Sequence, residues 1–219
     1  KMNFTVFLKE IWRGKDLYRI LMNSECANYQ LNGRVLDLGS GLKAASYHRF
    51  FSRAAGTEVI SLDLALPDGS ASQIDLEKDR LPYAEASIDT VLIFNLLEHL
   101  YNHSHVLIEI KRVLKPGGRV IGAVPFLVGY HADPHDFWRY TSESLKNIFS
   151  SGDFQNINIK ILGRGPWSAA FSQIEFCLPR LTKMLILPLV FFLDSLFLKL
   201  KPNWDQHKFA LSLFFIFTK

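Results

Sequence analysis

The sequence predicts an α/β protein with a doubly wound, mostly parallel sheet of seven strands, an antiparallel C-terminal strand and an apolar helical insertion before that strand. Three observations support this fold class. Short apolar runs alternate with segments of helical periodicity, a glycine turn follows the first buried run at 35–38, and a Leu- and Phe-rich stretch at 164–207 interrupts the alternation. Because parallel strands need a crossover connection, usually a helix, this alternation favours a parallel sheet.

The predicted elements follow one another along a single domain, the usual number for 219 residues. It consists of N-terminal helices (1–32), a core (33–163), the insertion (164–207) and a final strand (208–219). Apolar residues at three-to-four spacing predict one or two helices over 4–29 with a break at Gly14. Further helices are predicted at 44–55, 104–114 and 142–150, the last with Ser142 as its N-cap, and strands at 35–38, 59–64, 90–94, 119–124, 157–162 and 209–218.

Composition excludes several classes of protein. Lys plus Arg total 25 and Asp plus Glu total 21, and a net charge of +4 is too small to predict nucleic-acid binding. Cys26 and Cys177 have no partner at metal-ligand spacing, so we expect neither a disulfide framework nor a structural zinc site. Such cysteine usage indicates a reducing, cytoplasmic compartment. Charged residues interrupt the N-terminal apolar segment, which argues against a signal peptide.

The turn Asp37-Leu38-Gly39-Ser40-Gly41 is the first candidate for a ligand site. Glycine permits a sharp turn and close backbone approach, and the N-terminus of the helix that follows offers N–H groups to an anion. Asp63, at the end of the second predicted core strand, is placed to accept hydrogen bonds from two ribose hydroxyls. With Ala44, the two glycines also fit a dinucleotide fingerprint, so a nicotinamide-dependent reductase is an alternative.

A series of motifs across 33–125 resembles the class I S-adenosylmethionine-dependent methyltransferases, in particular their small-molecule branch, which implies a Rossmann-like fold and S-adenosylmethionine as cofactor. In order, the motifs are Val35–Gly41, Asp63, Asp75-Leu76, Leu81-Pro82-Tyr83, Ser87-Ile88-Asp89, Asn95–Leu100 and Arg112–Gly118. The chain departs from the pattern at Lys43, where many relatives have a small residue. Asp37 directly before the glycine turn and the final antiparallel strand favour this family over a reductase.

The resemblance implies a role for each matching residue. The cofactor-binding set is Asp37 for the amino group, Gly39, Ser40 and Gly41 for the methionine portion, Asp63 and Leu64 for the ribose side, Asp75 and Leu76 for the adenine, and Asn95 facing the methyl group. A chain that keeps this set but has lost catalysis, working as a cofactor-binding or membrane-associated interaction module, is the non-enzyme alternative.

The acceptor site is predicted after the fifth core strand, where ionisable and aromatic residues are dense. His131 and His135 are both candidates for a general base, because histidine titrates near neutral pH. The predicted acceptor-binding residues are His99, Asp136, Trp138, Arg139 and Tyr140. His131 and His135 could share a helical face and bind a metal, but Pro134 between them argues against a helix, so no metal is predicted.

The chemistry of the acceptor is narrowed by further features. The segment 134–141 resembles one in uncharacterised methyltransferases of bacterial surface polysaccharide and lipid pathways, which implies a bacterial setting. An Asn-Pro-Pro-Tyr motif is absent after the fourth core strand, and no cysteine lies near it, so O-methylation of a small-molecule, sugar or lipid-linked acceptor is favoured, with small-molecule N-methylation left open.

The apolar stretch at 184–193 is short for a membrane span, which needs about 20 apolar residues. It allows a packed lid, an oligomer contact or peripheral contact with the inner face of a membrane through 181–200. Polar substitution of Leu187 and Phe191 would then release the protein from vesicles.

Overall fold

The computed structural model describes residues 4–40, 45–62 and 74–219. Its helices are α1 (Phe4–Trp12), α2 (Leu17–Cys26), α3 (His103–Val113), α4 (Ser142–Ser151), α5 (Pro166–Ile174) and α6 (Arg180–Leu200). Its strands are β1 (Gln30–Leu31), β2 (Arg34–Leu38), β3 (Ser52–Arg53), β4 (Glu58–Leu62), β5 (Ile88–Phe94), β6 (Leu114–Pro125), β7 (Gln155–Leu162) and β8 (Ser212–Thr218). Short 3-10 turns lie at Ser46–Arg49, Leu97–His99, Glu175–Cys177 and Gln206–Phe209.

The central sheet has the strand order β4-β2-β5-β6-β8-β7. Strands β4, β2, β5 and β6 are parallel, and β8 is antiparallel to both of its neighbours. The α/β fold class, the antiparallel C-terminal strand and the apolar helical insertion before it are therefore confirmed. The number of strands predicted was wrong, because within the described residues the sheet has six strands and not seven. Between β4 and β5 the described residues 74–87 form turns and contribute no strand.

Side chains alternate between the two faces of the sheet. On one face Val91 and Ile93 of β5 join α3 and α4 in a hydrophobic cluster. On the other face Leu92 and Phe94 join α2 and the aromatic residues after the glycine turn. A third cluster, formed by α1, α5 and α6, lies beside the second. Because successive side chains of β5 point to opposite faces, both faces of this strand are covered by apolar clusters.

Local departures from the predicted elements have identifiable causes. Within the described part of 44–55, a 3-10 turn replaces the expected long helix, because Ser52 and Arg53 pair in parallel with β1 and take the chain into a strand. The N-cap of α4 is Thr141 and not Ser142: the Thr141 hydroxyl accepts from the Ser144 N–H, and the Ser144 hydroxyl accepts from the Thr141 N–H. This reciprocal capping box satisfies two orphan donors.

Two buried carboxylates of the insertion cap helices, one at α5 inside the insertion and one at α2 outside it. Asp194 of α6 is fully buried, and its carboxylate accepts from the backbone N–H groups of Trp167 (2.9 Å) and Ser168 (3.1 Å) at the start of α5. Glu175 does the same for α2, accepting from the Leu17 N–H at 2.8 Å. Both carboxylates lie at helix N-termini, where the unpaired N–H groups and the helix dipole favour negative charge.

Candidate active site

The carboxyl end of β2 holds a buried carboxylate beneath a glycine turn. Asp37 is fully buried, and its oxygens accept from the Tyr47 hydroxyl at 2.8 and 2.9 Å and from His48 Nε2 at 2.6 Å. Burial and the Asp37 charge raise the pKa of Tyr47, so the hydroxyl stays a donor. Asp37 was predicted from the sequence as a cofactor-binding residue. The structure adds that Tyr47 and His48 hydrogen-bond to its carboxylate.

Gly39 follows with φ +73°, a conformation that glycine adopts without strain. Its N–H donates to the Leu62 carbonyl at 2.9 Å, which joins the turn to the end of β4. A side chain here would also meet Leu96, because a Cβ atom built on Gly39 lies 2.8 Å from Leu96 Cδ1. The turn is therefore a cradle whose shape depends on glycine, which fits close approach of a ligand to the backbone.

A cleft of about 390 Å³ opens at this edge of the sheet. Its walls come from the glycine turn, the carboxyl end of β5, the start of α2 and the loop after β6. The described residues that line it are Asp16, Tyr18, Arg19, Gly39, Ser40, Ala45, Tyr47, Phe94, Asn95, His99, Val128, His131 and Asp133. Ligands of parallel α/β sheets bind at such carboxyl edges, so this cleft is the candidate active site.

Asn95 marks the end of β5 and has φ +51°, which turns its side chain into the cleft. Its amide contacts the Tyr18 hydroxyl, and with the amide oxygen turned toward Arg19 it accepts from Nη1 at 2.9 Å. Burial and the nearby charge of Glu98 raise the pKa of Tyr18. The first turn of α2 thus covers the position at which the resemblance placed the methyl group.

The opposite wall brings together three ionisable side chains. Glu98 is fully buried, and its Oε1 lies 3.8 Å from His99 Nε2 and 3.7 Å from His131 Nε2. The carboxylate of Glu98 raises the pKa of His131 above its ordinary value. The imidazole rings of His99 and His131 meet edge to face, with centroids 5.2 Å apart. His99 and His131 were predicted from the sequence, whereas Glu98 was not in the predicted set.

The 126–140 loop is fastened to the segment 95–100 by hydrogen bonds that cross between them. The Phe137 N–H donates to the Glu98 carbonyl at 2.8 Å and the Trp138 indole N–H to the Leu100 carbonyl at 3.0 Å. The Tyr140 hydroxyl donates to the Leu97 carbonyl at 3.0 Å. These contacts hold the loop so that His131 faces Glu98 and His99, although they are distant in sequence.

Asp136 and Arg139 shape this loop from within. Arg139 donates from Nη1 and Nη2 to the Asp136 carboxylate, at 2.5 and 2.8 Å, and from Nη2 to the carbonyls of Val128 and Gly129. The guanidinium holds the pKa of Asp136 well below its ordinary range, and Asp136 also accepts from the His131 N–H at 2.9 Å. The structure thus gives Asp136, Arg139, Trp138 and Tyr140 hydrogen bonds within the protein that hold the loop carrying His131, where the sequence suggested acceptor contacts.

His135, the other candidate base, has an exposed side chain whose ring packs against Phe137 at 5.2 Å. Its backbone carbonyl, and not its ring, is what reaches the site, because it accepts from His99 Nδ1 at 2.5 Å. His131 and His135 do not share a helical face, since the described loop contains no helix. The cleft therefore contains His131 and lacks the His135 ring among its described walls.

Several predicted cofactor residues lie elsewhere. Asp75 caps a turn, accepting from the Glu77 N–H and pairing with Lys78 at 3.0 Å, and Leu76 is buried in the first cluster. Neither is among the described lining residues of the cleft. Gly41, Lys43, Ala44, Asp63 and Leu64 lie outside the described residues.

Sequence reasoning missed the partners of the predicted residues more than the residues themselves. Tyr47 and His48 follow the glycine turn, and their proximity to Asp37 depends on the 3-10 turn that was not predicted. Tyr18 and Arg19 lie in a helix whose position over the sheet has no local signal. Glu98 was visible as a charged residue in an apolar segment directly after β5. Its burial was the feature that could not be read from the sequence.

Comparison with known proteins gives one family match. Residues 36–122 match a family model described as a methyltransferase domain. The ubiquinone/menaquinone biosynthesis C-methyltransferase UbiE of Desulfotalea psychrophila is 37% identical over 98 residues, which cover 41% of this chain and 40% of the relative. The match thus spans about two fifths of the length of that curated relative.

Solved structures resemble nearly the whole chain. An S-adenosylmethionine-dependent methyltransferase from Archaeoglobus fulgidus has a TM-score of 0.59 at 16% identity, covering 99% of this chain and 100% of that one. Phosphoethanolamine N-methyltransferase 2 of Haemonchus contortus, solved with phosphomonomethylethanolamine and S-adenosylhomocysteine, has a TM-score of 0.54 at 15% identity, covering 92% of this chain and 52% of that one. At these identities the likeness concerns the fold.

Proposed function

We propose that this chain, whose residues 36–122 match a methyltransferase domain, is a class I S-adenosylmethionine-dependent methyltransferase that transfers a methyl group to an oxygen of a small-molecule, sugar or lipid-linked acceptor. The observation that carries this proposal is the continuity of the cleft. Gly39 and Ser40 form one wall, His99 and His131 form another, and Asn95 lies among the lining residues. A donor held at the glycine turn and an acceptor held at the histidines would share one cavity.

The residues of the chain fit the demands of the reaction. S-adenosylmethionine supplies a methyl group already activated on a sulfonium, so alignment and exclusion of water provide most of the rate enhancement. The acceptor oxygen forms a bond to the methyl carbon while the carbon–sulfur bond breaks, and the hydroxyl proton must leave. Glu98, His99 and His131 form an ionisable cluster beside the cleft that can promote the loss of this proton.

Asp37 and Gly39 support the proposed donor side. The buried Asp37 carboxylate places negative charge directly below the turn, and the resemblance implies that this charge helps to bind the amino group of the methionine portion. Gly39 lines the cleft without a side chain, so its backbone is open to close approach by a ligand. Asp63 and Leu64 for the ribose side and Asp75 with Leu76 for the adenine side complete the proposed site on the strength of the resemblance alone.

An acceptor with an apolar portion is favoured over a purely polar one. The similar segment of UbiE belongs to an enzyme named for C-methylation in quinone biosynthesis. The reduced form of a quinone, a quinol, carries ring hydroxyls beside its ring carbons. O-methylation is proposed here because the ionisable cluster at the cleft suits loss of a hydroxyl proton. Transfer to a ring carbon of such an acceptor is the alternative that the same cleft allows.

Helix α6 supports a peripheral contact with a membrane. Its 21 residues are long and apolar enough to cross a membrane by length and composition. Leu187 and Val190 are nevertheless buried against the third cluster, so one side of the helix is packed on protein. The opposite side exposes an apolar stripe formed by Leu181, Leu185, Leu189, Phe192, Leu196 and Leu200. A helix packed on one side and apolar on the other suits the plane of a membrane surface better than a span.

The charges around this stripe fit the same arrangement. Arg180 at one end and Lys199 and Lys201 at the other are exposed, and basic residues flanking an apolar face favour anionic lipid. Cys26 and Cys177 are both free thiols, in keeping with the cytoplasmic side of such a membrane. A lipid-linked acceptor would then meet the enzyme where the acceptor itself resides.

Isothermal titration of the purified protein with S-adenosylmethionine and S-adenosylhomocysteine tests the donor, with NADH and NADPH as controls. Binding of the adenosyl ligands alone, in the micromolar range, is expected. Transfer of labelled methyl groups to quinol, sugar and lipid extracts then tests the acceptor, and the site of the label on the product distinguishes oxygen from carbon. Binding of a nicotinamide in place of the adenosyl ligands would contradict the proposal.

A further inference from the structure

Three side-chain atoms that carry lone pairs converge in the cleft wall. The ligand atoms of Glu98, His99 and His131 all lie within 4.8 Å of one another, and the two distances from Glu98 Oε1 to the Nε2 atoms are 3.8 and 3.7 Å. Two ligands about 2.1 Å from a tetrahedral ion stand roughly 3.4 Å apart. A shift of a few tenths of an ångström would bring both distances from Glu98 to that spacing, and the two imidazoles lie within 4.8 Å of each other.

The hydrogen bonds of both imidazoles direct the Nε2 lone pairs inward. His99 Nδ1 lies 2.5 Å from the His135 carbonyl and His131 Nδ1 lies 2.9 Å from the Gly129 carbonyl. Because a carbonyl only accepts, Nδ1 carries the proton in each ring, and in the neutral ring Nε2 is an acceptor. Metal-binding histidines show this arrangement, in which a carbonyl partner fixes the tautomer and the ring orientation.

Glu98 adds the observation that points to a cation. It is fully buried, yet neither carboxylate oxygen has a hydrogen-bond partner among the described residues. Burying an unpaired carboxylate costs several kcal/mol. A proton between Glu98 and one imidazole would give an N–H···O distance of about 2.7–3.2 Å, shorter than either distance here. Such a shared proton would also leave the Nε2 lone pair of the second imidazole without a hydrogen-bond donor.

We propose that Glu98, His99 and His131 bind one divalent first-row transition metal ion, with further coordination positions open to the cleft. Two imidazoles and one carboxylate suit Zn²⁺ and its neighbours in the series, while Mg²⁺ and Ca²⁺ prefer oxygen ligands. His99 and His131 line the cleft, so an acceptor oxygen there can become a further ligand. Coordination of the acceptor rests on the proposed function. A hydroxyl bound to the metal would lose its proton to water more easily, and its oxygen would then take the methyl group.

Calorimetric titration of the tag-free, chelator-treated protein with Zn²⁺, and separately with Mg²⁺, tests the site directly. We expect one Zn²⁺ per chain and much weaker Mg²⁺ binding. Glu98→Gln and His131→Asn should each weaken Zn²⁺ binding at least tenfold, since each removes a ligand. His105→Asn and Cys177→Ser are matched controls, because they remove an exposed histidine and an exposed thiol elsewhere, and they should leave one tight site.

Thermal unfolding of each variant shows whether it is folded, and His99→Asn replaces Glu98→Gln if the latter is not. A wild-type protein that binds no stoichiometric Zn²⁺ overturns the proposal. So does a folded His131→Asn variant with wild-type affinity, or loss of the site in Cys177→Ser. Titration of the chelator-treated protein with S-adenosylmethionine tests the proposed function separately. A protein that binds S-adenosylmethionine but fails to bind Zn²⁺ rejects only the metal site. A protein that binds Zn²⁺ but fails to bind S-adenosylmethionine rejects only the proposed methyltransferase function.

Discussion

The Tyr47 hydroxyl donates to the Asp37 carboxylate at 2.8 Å, in a position where neither group reaches solvent. The carboxylate also meets His48 Nε2 at 2.6 Å. A charge buried at the end of β2 is stable there only with such donors, because hydrogen bonds must replace those lost from water. The floor of the proposed donor site and the stability of the fold therefore depend on the same contact.

Tyr47→Phe should lower the free energy of unfolding by about 1.5–3 kcal/mol, the value for a buried hydrogen bond to a charged group. The ring still fills its place in the second cluster, so the loss reports the hydroxyl. Urea unfolding measures it. Tyr29→Phe is the matched control, because the Tyr29 hydroxyl donates to Glu25 at a partly exposed site where water can replace it. Equal losses in the two variants would contradict the role given to Tyr47.

Asp63→Ala should weaken binding of S-adenosylmethionine by about 1–3 kcal/mol through loss of charge-assisted hydrogen bonds to the ribose. Asp63 lies outside the described residues, so this expectation rests on its match to the family motif. Titration calorimetry gives the affinity, and thermal unfolding checks that the variant is folded. Asp205→Ala, at an exposed turn, serves as the control. Unchanged affinity in a folded Asp63→Ala variant would remove Asp63 from the site.

The parts of the fold and the site that could be predicted are those encoded locally. The glycine turn at Gly39 and the apolar strand before it lie within a few residues, and their geometry is set by backbone sterics and burial. The contact of Glu98 with His131 spans 33 positions and exists because the 126–140 loop is fastened over the end of β5. Residue type alone cannot show such a contact, because it depends on hydrogen bonds to backbone carbonyls.

His131→Asn and His135→Asn should have different effects on turnover. We expect His131→Asn to lower kcat by about 10²–10⁴, the range for loss of a group that promotes proton transfer, with cofactor affinity preserved. His135 supplies a backbone carbonyl to His99, and a side-chain substitution retains that carbonyl, so most of the turnover should remain. A methyl-transfer assay with the identified acceptor measures both. A larger loss for His135→Asn would restore that residue as the base.

Substitutions on α6 test the membrane contact. Leu185 and Leu189 are 72% and 57% exposed, whereas Leu187 is buried and Phe191 packs on Phe7, so the pair expected from the sequence lies on the wrong side of the helix. Leu185→Gln with Leu189→Gln should lower binding to phosphatidylglycerol-rich vesicles at least tenfold, since each leucine contributes about 1.5–3 kcal/mol of transfer free energy.

Flotation measures this binding. The matched control removes exposed apolar side chains from other surfaces, with Ile108→Gln and Tyr130→Gln. Two results would contradict the membrane contact of the α6 stripe. One is a wild-type protein that does not float with the vesicles, and the other is a control variant that loses flotation equally.

Glu175 predicts a pH dependence of stability. Its side chain is buried, and burial raises its pKa from 4.5 to about 6 although its Oε1 accepts from the Leu17 N–H and Lys183 lies 3.6 Å away. A carboxyl whose folded pKa exceeds its unfolded value binds more protons when folded. Its contribution is therefore fully present below pH 4.5 and is lost as the pH rises through about 6. The shift corresponds to about 2 kcal/mol.

Glu175→Gln stays neutral at every pH and retains an oxygen for the Leu17 N–H. Relative to the wild type, this variant should gain about 2 kcal/mol in unfolding free energy between pH 4.5 and pH 7, because it escapes the cost of ionising a buried carboxyl. Urea unfolding of both proteins at the two pH values measures the gain, with Glu143→Gln on the exposed face of α4 as the control. A difference between wild type and Glu175→Gln that is the same at both pH values would show that Glu175 ionises as readily in the fold as in the unfolded chain.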